Sequence, residues 1–225
     1  MDKKFSLTAA DIRAVDLGDS NYINNKGAAL YAPETYDRAV EYYRLAAAMG
    51  NVHSISNLGY CYLYGRSIEP DLDLAVSYFK IAAAREDVDA AYKLGDIYGS
   101  DKWGVKDKEM SVYYYRMAAS FIIDGPWEDS FEILLCDRLT RYPSLCYALG
   151  RELFAGTDMP KDLDSSYQFL KQAKAGYERE LANGSKMYEK AYAGVVELMS
   201  NHEFDAVRVK YDDFFTDEDE DRFED

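Results

Sequence analysis

A chain of 225 residues that is 48% hydrophobic has enough apolar material for a sizeable core, and its formal net charge is −15. No apolar run approaches the roughly 18 to 20 residues that a membrane-spanning helix needs, so no membrane partner is expected. Two histidines at no metal-ligand spacing, three cysteines without a Cys-x-x-Cys pair and no basic patch interleaved with aromatics point away from a metal, a disulfide framework and a nucleic-acid ligand.

The first segment, MDKKFSLTAADIRAVDLGDS, lacks the apolar stretch and small-residue cleavage site of a secretory signal, which leads us to expect a cytoplasmic protein. Within it, Thr8-Ala-Ala-Asp11 has the form of a capping box opening a short helix, and residues 1–19 are predicted to form an N-terminal cap.

Residues 20–183 repeat. The pairs Ala46-Ala47, Ala82-Ala83 and Ala118-Ala119 are 36 residues apart, and a degenerate mark at Ala173-Lys174 follows after 55. Leu58-Gly59, Leu94-Gly95 and Leu149-Gly150 keep the same register, each 24 residues before an alanine mark. The longer third step leaves about 19 extra residues. This insertion falls at about 120–143, where Phe131, Leu134, Leu135 and Leu139 predict one added helix over Glu128 to Arg138.

Inside each unit Ala75, Tyr78, Phe79, Ala82 and Ala83 recur at i, i+3, i+4, i+7 and i+8, one apolar stripe of a helix. Ala39, Tyr42, Tyr43, Ala46 and Ala47 repeat it, and Tyr42, Tyr43, Tyr78, Tyr114 and Tyr115 are assigned to the core on that pattern. The Leu-Gly segment makes the other helix, its glycine marking a crossing too close for a Cβ. One hairpin cannot cover its own stripe, so neighbouring hairpins must stack. The expected fold is all-α: a right-handed α/α solenoid of about four helix-loop-helix repeats. KMYEKAYAGVVELM predicts a capping helix within residues 184–201, with Met187, Ala191, Val195 and Leu198 on one side. Residues 202–225 are expected to be an acidic disordered tail: DDFFTDEDEDRFED alone carries nine acids and one arginine.

Leu-Gly, an aromatic-rich turn into glycine, a variable loop and Ala-x-x-Tyr-Tyr/Phe-Arg/Lys-x-Ala-Ala together resemble the Sel-one-like repeat family, helix pairs of tetratricopeptide type with a longer internal loop. The first copy, in which Gly27 precedes Ala39 by 12 residues where Gly59 precedes Ala75 by 16, is closer to a plain tetratricopeptide repeat. The resemblance implies a non-enzymatic interaction protein that holds a partner protein or peptide on a concave face lined by the first helix of each pair. Counting three residues before each repeat glycine, one after, and four or five after selects Asn24, Tyr31, Ser56, Tyr60, Tyr64, Tyr92, Asp96, Tyr147, Arg151 and Phe154 for that face. Phe214 and Phe215 of the acidic tail are added as docking aromatics.

The acidic balance makes a partner with a basic surface the expected complement. An alternative function is a dedicated inhibitor, of immunity or antitoxin type, of a basic enzyme. The last alternative, a hydrolase, would need Asp71 with Asp73, or Glu86, Asp87 and Asp89, as acid and base. These fall in predicted loops, and there is no phosphate loop, nucleophile elbow or His-Glu-x-x-His beside them, so neither enzyme activity nor a cofactor is expected. Oligomeric state is left open by the sequence.

Overall fold

Eleven α-helices and no strand occur among the described residues, 5–123, 133, 136–157 and 159–212, of the computed structural model. Helix α1 (Ala9–Asp16) begins at the predicted capping box. Thr8 donates its backbone N–H to Asp11 Oδ2 at 2.7 Å, and its hydroxyl accepts from the Asp11 N–H at 3.3 Å. Three hairpins follow: α2 (Ser20–Ala29) with α3 (Tyr36–Ala48), α4 (Val52–Tyr64) with α5 (Leu72–Ala83), and α6 (Val88–Gly99) with α7 (Lys108–Ser120). The fourth pairs α8 (Pro143–Ala155) with α9 (Leu163–Ala182), and α10 (Glu189–Met199) and α11 (Asp205–Asp212) complete the chain. Two compact units divide it within α7, Met1–Tyr114 and Tyr115–Asp225.

The repeat period is set by helix ends and crossings. Asp71, Asp107 and Asp162 each accept the backbone N–H three residues on, at 2.9 to 3.0 Å, and so open the second helix of a hairpin. Gly65 and Gly156 end α4 and α8 in the left-handed conformation, both at φ 65°. A Cβ on Gly27, Gly59 or Gly150 would lie 2.8 Å from a side-chain carbon of Tyr43, Phe79 or Leu170 respectively. The repeat glycines are therefore the crossing points of the hairpins, as expected.

Ala39, Tyr42, Tyr43, Ala46, Ala75, Phe79, Ala82 and Ala83 are buried, as are Tyr114 and Tyr115 in α7. Tyr78 departs from its core assignment. It is half-buried and stacks on Tyr62 at 5.5 Å between centroids, a pairing that Tyr98 and Tyr114 repeat at 5.8 Å one period later. The stripe's polar exceptions are buried too: Ser111 donates to the Gly95 carbonyl at 2.8 Å and Ser166 to the Gly150 carbonyl at 2.7 Å.

Successive first helices in the first unit are clasped by polar side chains. Asn51, the N-cap of α4, donates from Nδ2 to Asn21 Oδ1 at 2.8 Å. Asp87, the N-cap of α6, meets His53 Nδ1 at 2.9 Å.

Three boundaries need correction. Most of the predicted inserted helix, including Phe131, Leu134 and Leu135, lies outside the described residues. Its described end, Asp137–Arg141, is a 3-10 turn with Leu139 buried, because Pro143 starts α8 immediately after it. The capping helix starts at Glu189, and Met187, expected on its packed side, is 80% exposed in the preceding 3-10 turn. The acidic tail does not begin at residue 202: a 3-10 turn (His202–Phe204) leads into α11, whose Val207 and Tyr211 are buried with Phe204. These apolar residues recur at spacings of three and four, and they decide the issue over the net charge.

Candidate functional site

The selected residues fall into two groups, one in each compact unit. In the first unit Asn24 is only 9% exposed, and its Oδ1 accepts from Ser54 Oγ at 2.8 Å and from Asn57 Nδ2 at 3.2 Å. Ser56 is buried as well, and its hydroxyl has no hydrogen-bond partner among the described residues. Neither residue can reach a partner protein. The spacing rule fails here because Asn24 turns to the neighbouring first helix and Ser56 is enclosed.

The remaining members form a connected aromatic surface. Tyr31 packs edge-on to Tyr36 at 4.8 Å; Tyr60 stacks with Tyr64 at 6.3 Å and meets the buried Phe79 edge-on at 5.0 Å; Tyr64 meets Trp103 at 6.2 Å. Tyr64 is 41% exposed and Tyr31 37%, whereas Tyr60 is anchored beneath them. Burial pushes the hydroxyl of Tyr60 well above the ordinary phenol value, helped by the charges of Asp89 and Asp96. Burial also raises that of Tyr31, against the opposing influence of Arg66. Both stay neutral donors at physiological pH.

Cations are threaded through these rings. Arg66 lies 5.0 Å from the Tyr36 centroid and 5.9 Å from that of Tyr64. Lys102 lies 4.3 Å from the Trp103 centroid and 5.7 Å from that of Tyr64. Lys93 lies between Tyr60 and Tyr92 and is held by Asp96 at 2.7 Å, which places the predicted Tyr92 and Asp96 at one end of the surface. Cation–aromatic contacts of this kind are worth about 0.5 to 1 kcal/mol each when partly exposed.

Arg66, Lys102, Trp103 and Tyr36 escape the sequence rule because it counts along first helices, whereas Arg66 sits in a loop, Lys102 and Trp103 in a 3-10 turn, and Tyr36 starts a second helix. A usable signal exists in the residue after each helix-closing glycine: Arg66 follows Gly65, whereas Thr157 follows Gly156.

In the second unit Tyr147, Arg151 and Phe154 line a groove of about 500 Å³ whose other wall is Gly194, Glu197 and Leu198 of α10. The Arg151 guanidinium lies 5.4 Å from the Tyr147 centroid. At Gly194 α10 comes close to Tyr147, since a Cβ there would collide with the Tyr147 hydroxyl. Phe154 is already engaged by Phe204 at 5.2 Å, so the chain's own C-terminal helices cover part of the predicted face of the fourth repeat. Phe214 and Phe215 lie outside the described residues.

Two of the carboxylates considered for hydrolysis have structural duties. Asp71 and Asp87 are N-caps, and Glu86 occupies a turn at φ 64°. Among the described residues no group of three or more His, Cys, Asp or Glu side chains could hold a metal, and no helix is long and apolar enough to cross a membrane.

Helix hairpins stacked one after another at a recurring period define an all-α repeat protein. The chain belongs to the Sel1 repeat family, whose model matches residues 14–51, 52–87, 88–120 and 143–176. Repeats of this family are generally protein–protein interaction modules and typically non-catalytic scaffolds.

Among solved structures, the Sel1 repeat protein from Oxalobacter formigenes is 23% identical, over a match that covers 70% of this chain and 98% of that one, with a TM-score of 0.48. The c5321 protective antigen of uropathogenic Escherichia coli strains, which displays an SLR fold, is 18% identical; the match covers 74% of this chain and 41% of that one, with a TM-score of 0.44. No curated protein matches the chain.

Proposed function

We propose that the aromatic surface of the first unit, centred on Tyr64 with Tyr31, Tyr60, Tyr92 and Trp103 around it, is a docking site for a partner protein or peptide. On this reading it stands for the binding face expected of the first helices, enlarged by the loops that follow them. The observation that carries this reading is Tyr64, a large ring 41% exposed among other aromatics and cations, where a hydrophobic side chain gains most from being covered. Tyrosine and tryptophan supply contact area at low entropic cost, and the half-buried ring of Tyr60 stacks on Tyr64. The groove beside Tyr147 and Arg151 is a secondary contact on the same reading. Replacing Tyr64 and Tyr31 together by alanine tests it: capture of the partner that co-purifies with the intact chain is expected to fall at least about tenfold, with helix content unchanged.

A second reading, an inhibitor of one basic enzyme, is favoured by the nine acids among residues 212–225. It predicts a single stoichiometric partner released by moderate salt, because exposed charge pairs are screened beyond about 10 Å at 0.1 M ionic strength.

A further inference from the structure

Several cations in the described residues have a carboxylate. Lys26 pairs with Asp11, Arg44 with Glu41, Lys93 with Asp96, Lys106 with Asp101, Lys161 with Glu203 and Lys210 with Asp164. In a chain with 41 acidic and 26 basic residues this is the expected outcome. Arg66 is one of those without a carboxylate, and it is set apart by its surroundings. Its guanidinium is surrounded by tyrosine, its Nε is buried without a hydrogen-bond partner, and no carboxylate pairs with it among the described residues. Lys102, on the same ring of Tyr64, has no carboxylate either among the described residues.

Arg66 is also held rigidly. The left-handed turn at Gly65 and a backbone hydrogen bond from Arg66 N–H to the Cys61 carbonyl at 2.9 Å fold it back onto the end of α4. A Cβ at Gly65 would lie 2.7 Å from Pro70 Cγ, so the loop closes tightly behind the turn. One of the Arg66 donors reaches the Tyr31 hydroxyl, while Nε stays without a partner among the described residues; a guanidinium part-desolvated on aromatic faces, with a fixed backbone and an unsatisfied edge, is the arrangement that receives a carboxylate bidentately.

We infer that Arg66 is a carboxylate subsite within the aromatic surface, receiving an aspartate or glutamate side chain of an acidic partner segment while Lys102 takes a second carboxylate beside the Tyr64 ring. This rests on the docking reading above and specifies it. Whatever the charge of the partner's overall surface, the segment that enters here is acidic and carries an apolar or aromatic residue to cover Tyr64 and Tyr31.

The test is fluorescence anisotropy with the full chain and a labelled synthetic 12-residue peptide of Asp, Glu and Phe. One control peptide has the acids replaced by Asn and Gln, another has them replaced by Lys. The acidic peptide should bind, the amide peptide at least about tenfold more weakly, and Arg66→Gln should cost about tenfold for the acidic peptide and little for the amide one. Arg66→Lys should restore only part of the loss, because an ammonium cannot form the paired contact. Lys102→Gln, at an exposed position that cannot unfold the chain, should cost a few-fold. No binding of the acidic peptide, or equal binding by wild type and both charge variants, overturns the inference. If the lysine peptide binds instead and loses affinity in Tyr64→Ala, the docking surface stands and only the carboxylate subsite falls; if no peptide responds to Tyr64→Ala, both fall.

Discussion

Ser166 donates its hydroxyl to the carbonyl of Gly150 at 2.7 Å, across the crossing of α8 and α9. Ser111 makes the same bond to Gly95 at 2.8 Å one repeat earlier, in the position that Ala39 and Ala75 fill in the first two copies. The crossing tolerates either a methyl group or a hydroxyl aimed at the carbonyl, but no side chain on the glycine itself. Gly59→Ala tests this. Helix propensity favours alanine by up to about 1 kcal/mol, while crowding Phe79 at 2.8 Å costs about 1 to 3 kcal/mol, so crowding wins. Urea unfolding should show a net loss of about 1 to 2 kcal/mol. A stabilised variant would mean the hairpin can open without penalty.

Acid should loosen the N-terminal cap. Burial alone would raise the Asp11 carboxyl, but hydrogen bonds from Lys26, the Thr8 backbone, the Thr8 hydroxyl and the Tyr42 hydroxyl outweigh it and hold Asp11 well below the ordinary value of 3.8. A carboxyl depressed in the folded state contributes stability above its unfolded pKa, and that stability is lost as pH falls through 4 and below. Lys26→Ala, which leaves the carboxylate buried without its cation, should cost about 2 kcal/mol at pH 7, less than for a fully buried pair because Lys26 is partly exposed. The penalty should shrink at pH 3. A pH-independent penalty in urea titrations would show that the pair acts by packing alone.

Phe204 seals the C-terminal end. It is fully buried, with ring centroids 5.2 Å from Phe154 and 5.3 Å from Tyr167. Phe204→Ala should destabilise the second unit by about 3 kcal/mol. Amide exchange should then accelerate in α11, and in α9 around Tyr167. Unchanged protection there would mean that α11 rides on the surface without contributing to it.

The three thiols should differ in reactivity. Cys61 is buried and its thiol is pushed up to about 11, and burial raises Cys146 further, whereas Cys136 is partly exposed. A thiol-reactive reagent at pH 8 should label Cys136 in the native chain at least about a hundredfold faster than the others. Equal rates would indicate global opening instead of a packed core.

The spacing of two independent marks, Leu-Gly and Ala-Ala, made the hairpins and their crossings legible, because a close approach demands glycine and a stacked stripe demands small residues. Thr8 and Asp11 were legible for the same kind of local reason. Tyr31, Tyr60 and Tyr64 were found by counting along a helix face, yet Asn24 and Ser56 on the same count turned inward. Whether a side chain there meets solvent or the next hairpin depends on the stacking of repeats, which the period of one repeat does not encode. Arg66 and Trp103 were hidden because their placement comes from loop closure around Gly65 and the 3-10 turn at Asp101–Trp103. The end of α11 was obscured by the acids that follow it.

The central claim, that partners dock on the tyrosine surface of the first unit, is tested most directly by amide hydrogen exchange of the chain alone and in complex with its co-purifying partner. The account predicts slowed exchange in segments 60–67 and 92–104 of the complex, with α5 unaffected. Protection confined to other segments, with 60–67 and 92–104 exchanging as they do in the free chain, would contradict it.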